Sequence, residues 1–462
     1  MPLLSLSLAR EIAYDAYVAV MHNREKPQDV LENLYAKEQK NLRRLDRNFI
    51  KEIVYGGLRY YSKIYWILQN TARRDLGQSP PEIQAALVLG TYQIYYMDRV
   101  PDRAAVNESV EYVRKKGQAA ACSFVNGILR QIARKAAYFA KPDKQKEPVE
   151  YLSLQFAHPN WVVRRWFEHF KFEKLEVMLA ANNKMPPNTV RINTLKTPTT
   201  EMHGLQTRLL KEEKTHTDKR PLRTALWFDE APNFDDGSLF QQGYYVIQDE
   251  ASQLIPHLLD VKEGETIVDA CAGPGGKLSH IYELGKEAIR LIAVEKNPKQ
   301  LQRAKENFAR LGFEKVEWVE QDFLEWQPAT KVDKILLDAP CSGLGVLRRH
   351  PEGKWQKQES IISEMVERQW RLIRHALTLL KPGGELIFSV CSFEPNESEF
   401  HVKKLVKEFP DQIEQVSPVA RLPDYYKKYV TRDNILLIYA GNSDEMDGFG
   451  AFIVRLKAEF KT

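Results

Sequence analysis

The chain has 462 residues, 43% hydrophobic and 28% charged, with a net charge of +5 and four cysteines. That balance excludes a disordered chain, and the length suggests about three domains. No apolar run approaches the ~18 residues that a membrane-crossing helix needs. The start, "MPLLSLSLAREIAYDAY", has no basic leading segment, so no secretory signal is expected. Cys122, Cys271, Cys341 and Cys391 form no CxxC pair, so no cysteine-based metal site is expected. Sparse cysteines of this kind suit a reducing cytoplasm.

Residues 1 to about 145 are expected to be all helical. "FIKEIVYGGLRYYSKIYWIL" and "FVNGILRQIA" place apolar residues at helical spacing, and Pro101 marks a turn before another helix. "NLRRLDRNFIK", "YVRKKGQ" and "RQIARKAAYFAKPDKQK" concentrate positive charge here, as solvated faces or as a nucleic-acid surface. A polar linker, "AKPDKQKEP", follows. Residues 146–245 are expected to be a small α/β connecting unit, with a strand in "PNTVRINTLK" and an exposed loop at "KEEKTHTDKRP".

From 246 to 462 short apolar strands alternate with helices. "ETIVDA", "LIAVE", "VEWVEQD", "KILLDAP" and "GELIFSVC" are the strands; "KLSHIYELG", "PKQLQRAKENFARLG" and "SIISEMVERQWRLIRHALTLLK" are the helices. This alternation predicts α/β architecture: a doubly wound, Rossmann-like parallel sheet.

The turn after the first strand is Cys271-Ala272-Gly273-Pro274-Gly275-Gly276-Lys277. Its glycines let a ligand approach the backbone, ahead of a helix N-terminus. Glu295 ends the second strand, 22 residues after Gly273, where an acid suits ribose hydroxyls. The string is not G-x-G-x-x-G, which favours a mononucleoside-type cofactor, S-adenosylmethionine, over a dinucleotide. Asp322, closing the third strand, is placed to meet an adenine amino group.

Cys341 follows the fourth strand and Cys391 ends the fifth. In a sheet of order 3-2-1-4-5 those strands are neighbours, so both thiols are expected in one cleft. A thiol beside a methyl donor suits cytosine: thiolate addition at carbon 6 makes carbon 5 nucleophilic. A second group must then help remove the carbon-5 proton. Asp338 could assist at the N3 edge of the base.

"DACAGPGGKLSHI", "LLDAPCSGLGVLRRHPEGKW" and "LIFSVCSFEPNESE" resemble the signature blocks of the NOL/NOP/Sun family of RNA cytosine-5 methyltransferases. "DGFGAFIVRLK" resembles that family's closing block. The helical N-terminus, with "VPDRAAVNESVEYVRKKG" and "FVNGILRQIARK", resembles a NusB-like RNA-binding domain. The resemblance covers nearly the whole chain and is weakest at 196–240. It implies methylation of carbon 5 of a cytosine in 16S ribosomal RNA. It assigns attack to Cys391 and release to Cys341, although a cysteine after proline attacks in DNA cytosine-5 methyltransferases. It implies cofactor contacts from Cys271 through Lys277, Glu295, Asp322 and Asp338. This chain departs from the family pattern at Val390 (usually threonine), Gly273 (usually alanine) and Glu295 (often aspartate).

The partner expected is small-subunit ribosomal RNA, free or partly assembled, bound by a monomer without metal or membrane. Transfer RNA as substrate, and a non-catalytic ribosome-assembly factor, are the rival readings. Arg348, Arg349 and Lys354 are expected to be RNA contacts or solvated charges, and His350 a loop residue. Arg191 and Asn193 are expected to support either RNA or the cleft.

Overall fold

The computed structural model describes residues 6–38, 41–134, 141–229, 232–443 and 445–460. Residues 135–140, which belong to one of the basic stretches and begin the expected linker, lie outside them. The chain divides into two compact units, Met1–Lys184 with Leu347–Glu359, and Met185–Val346 with Ser360–Thr462.

Among the described residues the first unit opens with the α-helices α1 (Leu8–His22), α2 (Pro27–Lys37), α3 (Arg44–Arg59), α4 (Tyr61–Ala72), α5 (Pro81–Tyr96), α6 (Asp102–Lys115), α7 (Cys122–Ala133), α8 (Pro148–Gln155), α9 (Asn160–Phe167) and α10 (Phe172–Ala181). α5 is buried almost all round, from Ile83 through Ile94, as suits the central helix of a bundle. Pro81 at its first turn supplies a preset φ where no N–H partner is needed. The expected helical stretch from Phe49 to Leu68 is two helices, broken at Tyr60.

The second unit begins with an antiparallel sheet of β1 (Asn188–Ile192), β2 (Thr217–Lys219), β3 (Ala225–Phe228) and β4 (Tyr245–Ile247), in the order β2-β3-β1-β4. α11 (Met202–Glu213) packs Leu205 and Leu209 against Val190, Ile192 and Leu226. The stretch expected as an exposed loop, "KEEKTHTDKRP", instead ends α11 and supplies β2. Glu213 is buried there, accepting hydrogen bonds from the Leu239 N–H and, at 3.3 Å, from the Tyr245 hydroxyl.

The chain then runs through α12 (Glu250–His257), β5 (Thr266–Asp269), α13 (Gly276–Gly285), β6 (Arg290–Val294), α14 (Pro298–Leu311), β7 (Glu317–Val319) and β8 (Val332–Asp338). After β8, residues Leu347–Glu359, which contain α15 (Gly353–Gln356), group with the first unit. Next come α16 (Ser360–Leu379), β9 (Leu380–Val390), α17 (Glu399–Glu408), β10 (Ile413–Val416), β11 (Leu436–Ile438) and β12 (Phe449–Leu456).

The large sheet has the order β10-β12-β9-β8-β5-β6-β7, with β11 beside β12. β7, β6, β5, β8 and β9 are parallel neighbours, which is the expected 3-2-1-4-5 order. The expectation of a purely parallel sheet is corrected beyond β9, because β12 pairs β9 antiparallel and carries β10 and β11. Side chains alternate between the two faces. Ile267, Leu291, Leu336 and Ile387 share a core with Leu254 and Leu278. Val268, Ile292, Leu337 and Phe388 share another with Ile373 and Val402. Helices thus cover both faces, and the loops after β5, β6, β8 and β9 meet at one sheet edge.

Within the first unit, Leu347–Glu359 is held by buried polar contacts. Lys354 Nζ donates to Asn183 Oδ1 (2.7 Å), Ala157 O (3.1 Å) and Arg59 O (3.3 Å). Arg59 donates to Arg348 O at 3.1 Å, and Gln356 donates to Val20 O at 2.7 Å. Arg348 and Lys354 are buried, so neither of the roles expected from sequence, RNA contact or solvated charge, fits them. Among the described residues, no helix is long and apolar enough to cross a membrane.

Candidate active site

β5 delivers Asp269 to the sheet edge, and the chain then turns sharply into α13. Gly273 (φ 54°) and Gly275 (φ 84°) both take left-handed conformations that favour glycine. A Cβ on Gly275 would lie 3.1 Å from Ala304 Cβ, whereas one on Gly273 would meet nothing nearer than 4.0 Å. Space in front of Gly273 is therefore open. Glu295 braces the turn: its Oε2 accepts the Gly273 N–H at 2.9 Å, and Oε1 accepts the Asn297 N–H at 2.8 Å.

Arg191 holds α13 from behind. It is fully buried, pairs with Glu283, and donates to Ser279 Oγ at 2.7 Å and Gln248 Oε1 at 2.8 Å. Asn193 is also buried, donating to Gly243 O and Leu311 O. Of the two roles left open, burial selects support of the cleft.

Asp269 is buried and neither carboxylate oxygen has a partner at full hydrogen-bond geometry, although the nearby Cys271 N–H and the Lys277 charge both favour its ionised form. Burial, reinforced by the nearby Asp338 charge, pushes it up to about 7. An under-satisfied carboxyl beside an open glycine turn fits a small cationic ligand, so the residues here suit the ammonium and sulfonium charges of S-adenosylmethionine. Asp322, after β7, pairs with Lys296 at 3.2 Å. Burial acts to raise its carboxyl, but the Leu324 N–H and Lys296 outweigh that and hold it below the usual range.

Asp338 ends β8, with Lys277 Nζ 2.6 Å from its Oδ2 and Ser389 Oγ 2.7 Å from its Oδ1. Three residues on, Cys341 Sγ lies 3.2 Å from Cys391 Sγ. The structure thus brings Asp338, Lys277, Cys341 and Cys391 together, next to the turn that holds Cys271 to Gly276. None of the four cysteines is in a disulfide. The hydrogen bond with Cys391, then burial, push the Cys341 thiol well up, and burial pushes Cys271 up.

Sequence reading did not single out Ser389, Ser342, Gln369 or Glu397. Glu397 is buried and accepts from the Ser342 N–H (2.7 Å), the Ser342 hydroxyl and Gln369 Nε2 (3.1 Å). The one signal for it was its place in the block after Cys391.

A curated "Probable ribosomal RNA small subunit methyltransferase B" of Bacillus subtilis is 31% identical over 97% of this chain and 98% of its own length. The chain belongs to the ribosomal RNA small subunit methyltransferase B family. A "Ribosomal RNA small subunit methyltransferase B" of Yersinia pseudotuberculosis is 30% identical over 87% of this chain and 90% of its own. The family described as 16S rRNA methyltransferase RsmB/F matches residues 256–457, the NusB family matches 7–134, and an RsmF/B-like ferredoxin-like domain matches 158–234. The crystal structure of PH0851 superposes with a TM-score of 0.80 at 23% identity, over 97% of this chain and 99% of that one. That last likeness bears on fold alone. As a member of the methyltransferase B family, the chain carries an all-α NusB domain, a ferredoxin-like domain and a mixed-sheet methyltransferase domain.

Proposed function

We propose that this protein methylates carbon 5 of a cytosine in 16S ribosomal RNA, using S-adenosylmethionine and a covalent cysteine adduct. The observation that carries the reading is the pair of thiols 3.2 Å apart at the ends of adjacent strands, three residues from an aspartate bound to Lys277. A thiol pair has no role in methylating an exocyclic amine or a ribose hydroxyl. Carbon 5 of cytosine needs one thiol to activate it and one base to release it.

The cofactor supplies an electrophilic methyl group. The turn from Cys271 to Lys277 with Glu295, Asp322 and Asp338 would hold it. Cys391 thiolate adds to carbon 6, and Asp338, carrying a proton when the base is bound, donates a hydrogen bond to N3 where negative charge develops. After methyl transfer, Cys341, which has given its own proton to solvent once Cys391 is bonded to carbon 6, takes the carbon-5 proton and the Cys391–carbon-6 bond breaks, returning the thiolate. A cytosine in a stack cannot expose its ring faces, so the target is unpaired or flipped out. In this division of labour, residues 1–145 grip RNA, 146–245 connect, and 246–462 methylate, as a cytoplasmic monomer. A phosphate-directed grip by the basic helical region weakens with salt.

The test is to incubate Cys341→Ala and Cys391→Ala separately with cofactor and 16S ribosomal RNA, then run a denaturing gel. Cys341→Ala is expected to trap a protein–RNA adduct, and Cys391→Ala to form none. An adduct on Cys391→Ala and none on Cys341→Ala would reverse the roles. No adduct and no methyl transfer to any ribosomal RNA would remove the reading.

A further inference from the structure

Two thiols in contact share protons, and the reaction requires that they not be equivalent. The carboxylate of Glu397 breaks the symmetry. It lies in the short turn Pro395–Glu397, fully buried, and all its partners are donors: the Ser342 N–H, the Ser342 hydroxyl and the Gln369 amide. That donor set suits a carboxylate rather than a carboxylic acid.

The bonds converge on one side of the pair. Gln369 also donates to Pro340 O at 2.9 Å, so the residues before and after Cys341 are both held by this network. His401 donates from Nε2 to Gln369 Oε1 at 2.9 Å. Gln369 Oε1 can only accept, which fixes that direction, and burial holds His401 down at about 4. On the Cys391 side, Ser392 Oγ lies 3.3 Å from Ser342 Oγ. Glu397 is thus bonded directly to the residue after Cys341, and Ser342 in turn lies beside the hydroxyl of the residue after Cys391.

We propose that Glu397 is a positioning residue that assigns the two thiols their roles: its buried negative charge keeps the shared proton on Cys341 and so leaves the thiolate on Cys391. One proton of the pair goes to solvent. The other stays on Cys341 Sγ, bridging to the Cys391 sulfur, until Cys391 bonds to carbon 6; Cys341 then gives it to solvent and is free to take the carbon-5 proton. The inference rests on the reading in which Cys391 attacks. Other titratable or charged groups on the elements around the pair include Asp338 with its partner Lys277, Asp269, Arg368, Arg371 and Arg374 on α16, Glu394, Asp447 and the neutral His401. Glu397 is also the carboxylate whose charge contributes to raising Cys341. A buried charge in low dielectric is felt strongly by groups near it.

The experiment is sub-stoichiometric alkylation of the full-length protein with iodoacetamide, without RNA or cofactor. The initial labelling rate of each cysteine is read by peptide mass spectrometry from pH 6 to 9. In the native protein Cys391 is expected to react at least about tenfold faster than Cys341, one pK unit of preference. Glu397→Asp, which keeps the charge, should retain the preference, and Glu397→Gln should lose it and bring forward the pH at which Cys341 reacts. Ser342→Ala removes a bond from the network but keeps the charge, so it should also retain the preference. If Glu397→Gln keeps the native preference, or Ser342→Ala loses it, the residue is only a brace and the proposal fails. Should Glu397→Gln not fold, the native protein and Ser342→Ala still decide. Cys341 labelled first in the native protein, or loss of the preference in Ser342→Ala, overturns the proposal. Their absence supports it. The adduct test stands apart: attack by Cys341 there would overturn the catalytic assignment while leaving the proton placement measured here intact.

Discussion

Asp269 ties the stability of the methyltransferase fold to pH. Burial, then the Asp338 charge, raise its folded-state value to about 7, above that of an unfolded aspartate. Between roughly pH 4 and 7 the folded chain keeps a proton that the unfolded chain has lost, so stability is full below that window and falls as pH rises through it. Asp269→Asn removes the titration. Its melting temperature is expected to exceed the native protein's at pH 8 and to match it near pH 4, a difference of at most about 4 kcal/mol. Calorimetric titration should show the same variant binding S-adenosylmethionine more weakly, because the cationic ligand loses its counter-charge. A variant less stable than the native protein at pH 8 would show that Asp269 is not an unmet charge. At this scale the sequence was readable only where a residue type is rare. Two cysteines at strand ends stand out among 462 residues. Ser389, Gln369 and Glu397 do not, because their roles come from partners 28 to 55 positions away.

The glycine turn joins β5 to α13, and its two left-handed glycines differ in what surrounds them. Gly275→Ala meets strained backbone and Ala304 together, and is expected to lose about 2–4 kcal/mol. Gly273→Ala meets open space and should lose only about 1 kcal/mol. Urea denaturation of the two variants checks the order, and equal losses would show that the contact with Ala304 relaxes freely. The mild change is also the one that restores the family's usual alanine. Elements with apolar runs of uniform character were legible from sequence: β5, β6, β8 and β9 and their order followed from periodicity and topology rules. β2 was not, since Thr217–Lys219 is a polar strand whose pairing with β3 is the reason it is extended. The antiparallel arm was missed for a different reason. β12 is apolar apart from Arg455, but nothing local reveals that it runs against β9.

At the scale of the whole chain, the compact units do not follow sequence order. Leu347–Glu359 comes after the Cys341 block yet packs within the helical unit, with Lys354 on Asn183 and Trp355 stacked edge-on to Tyr61 at 5.3 Å. A fragment of residues 185–462 is therefore expected to be cut by trypsin or chymotrypsin inside 347–359, while the full chain resists there. Limited proteolysis read by mass spectrometry decides, and equal resistance would mean that the segment holds its shape unaided. The same arrangement gives synthesis a timetable. The first 184 residues leave the ribosome with the carbonyls of Arg59 and Ala157 and the amide of Asn183 still lacking their ammonium. At ordinary elongation rates, residue 359 follows roughly 10–35 s later. The N-terminal unit is first in the chain but cannot be first to finish, and a nascent protein stalled before that point holds an incomplete bundle.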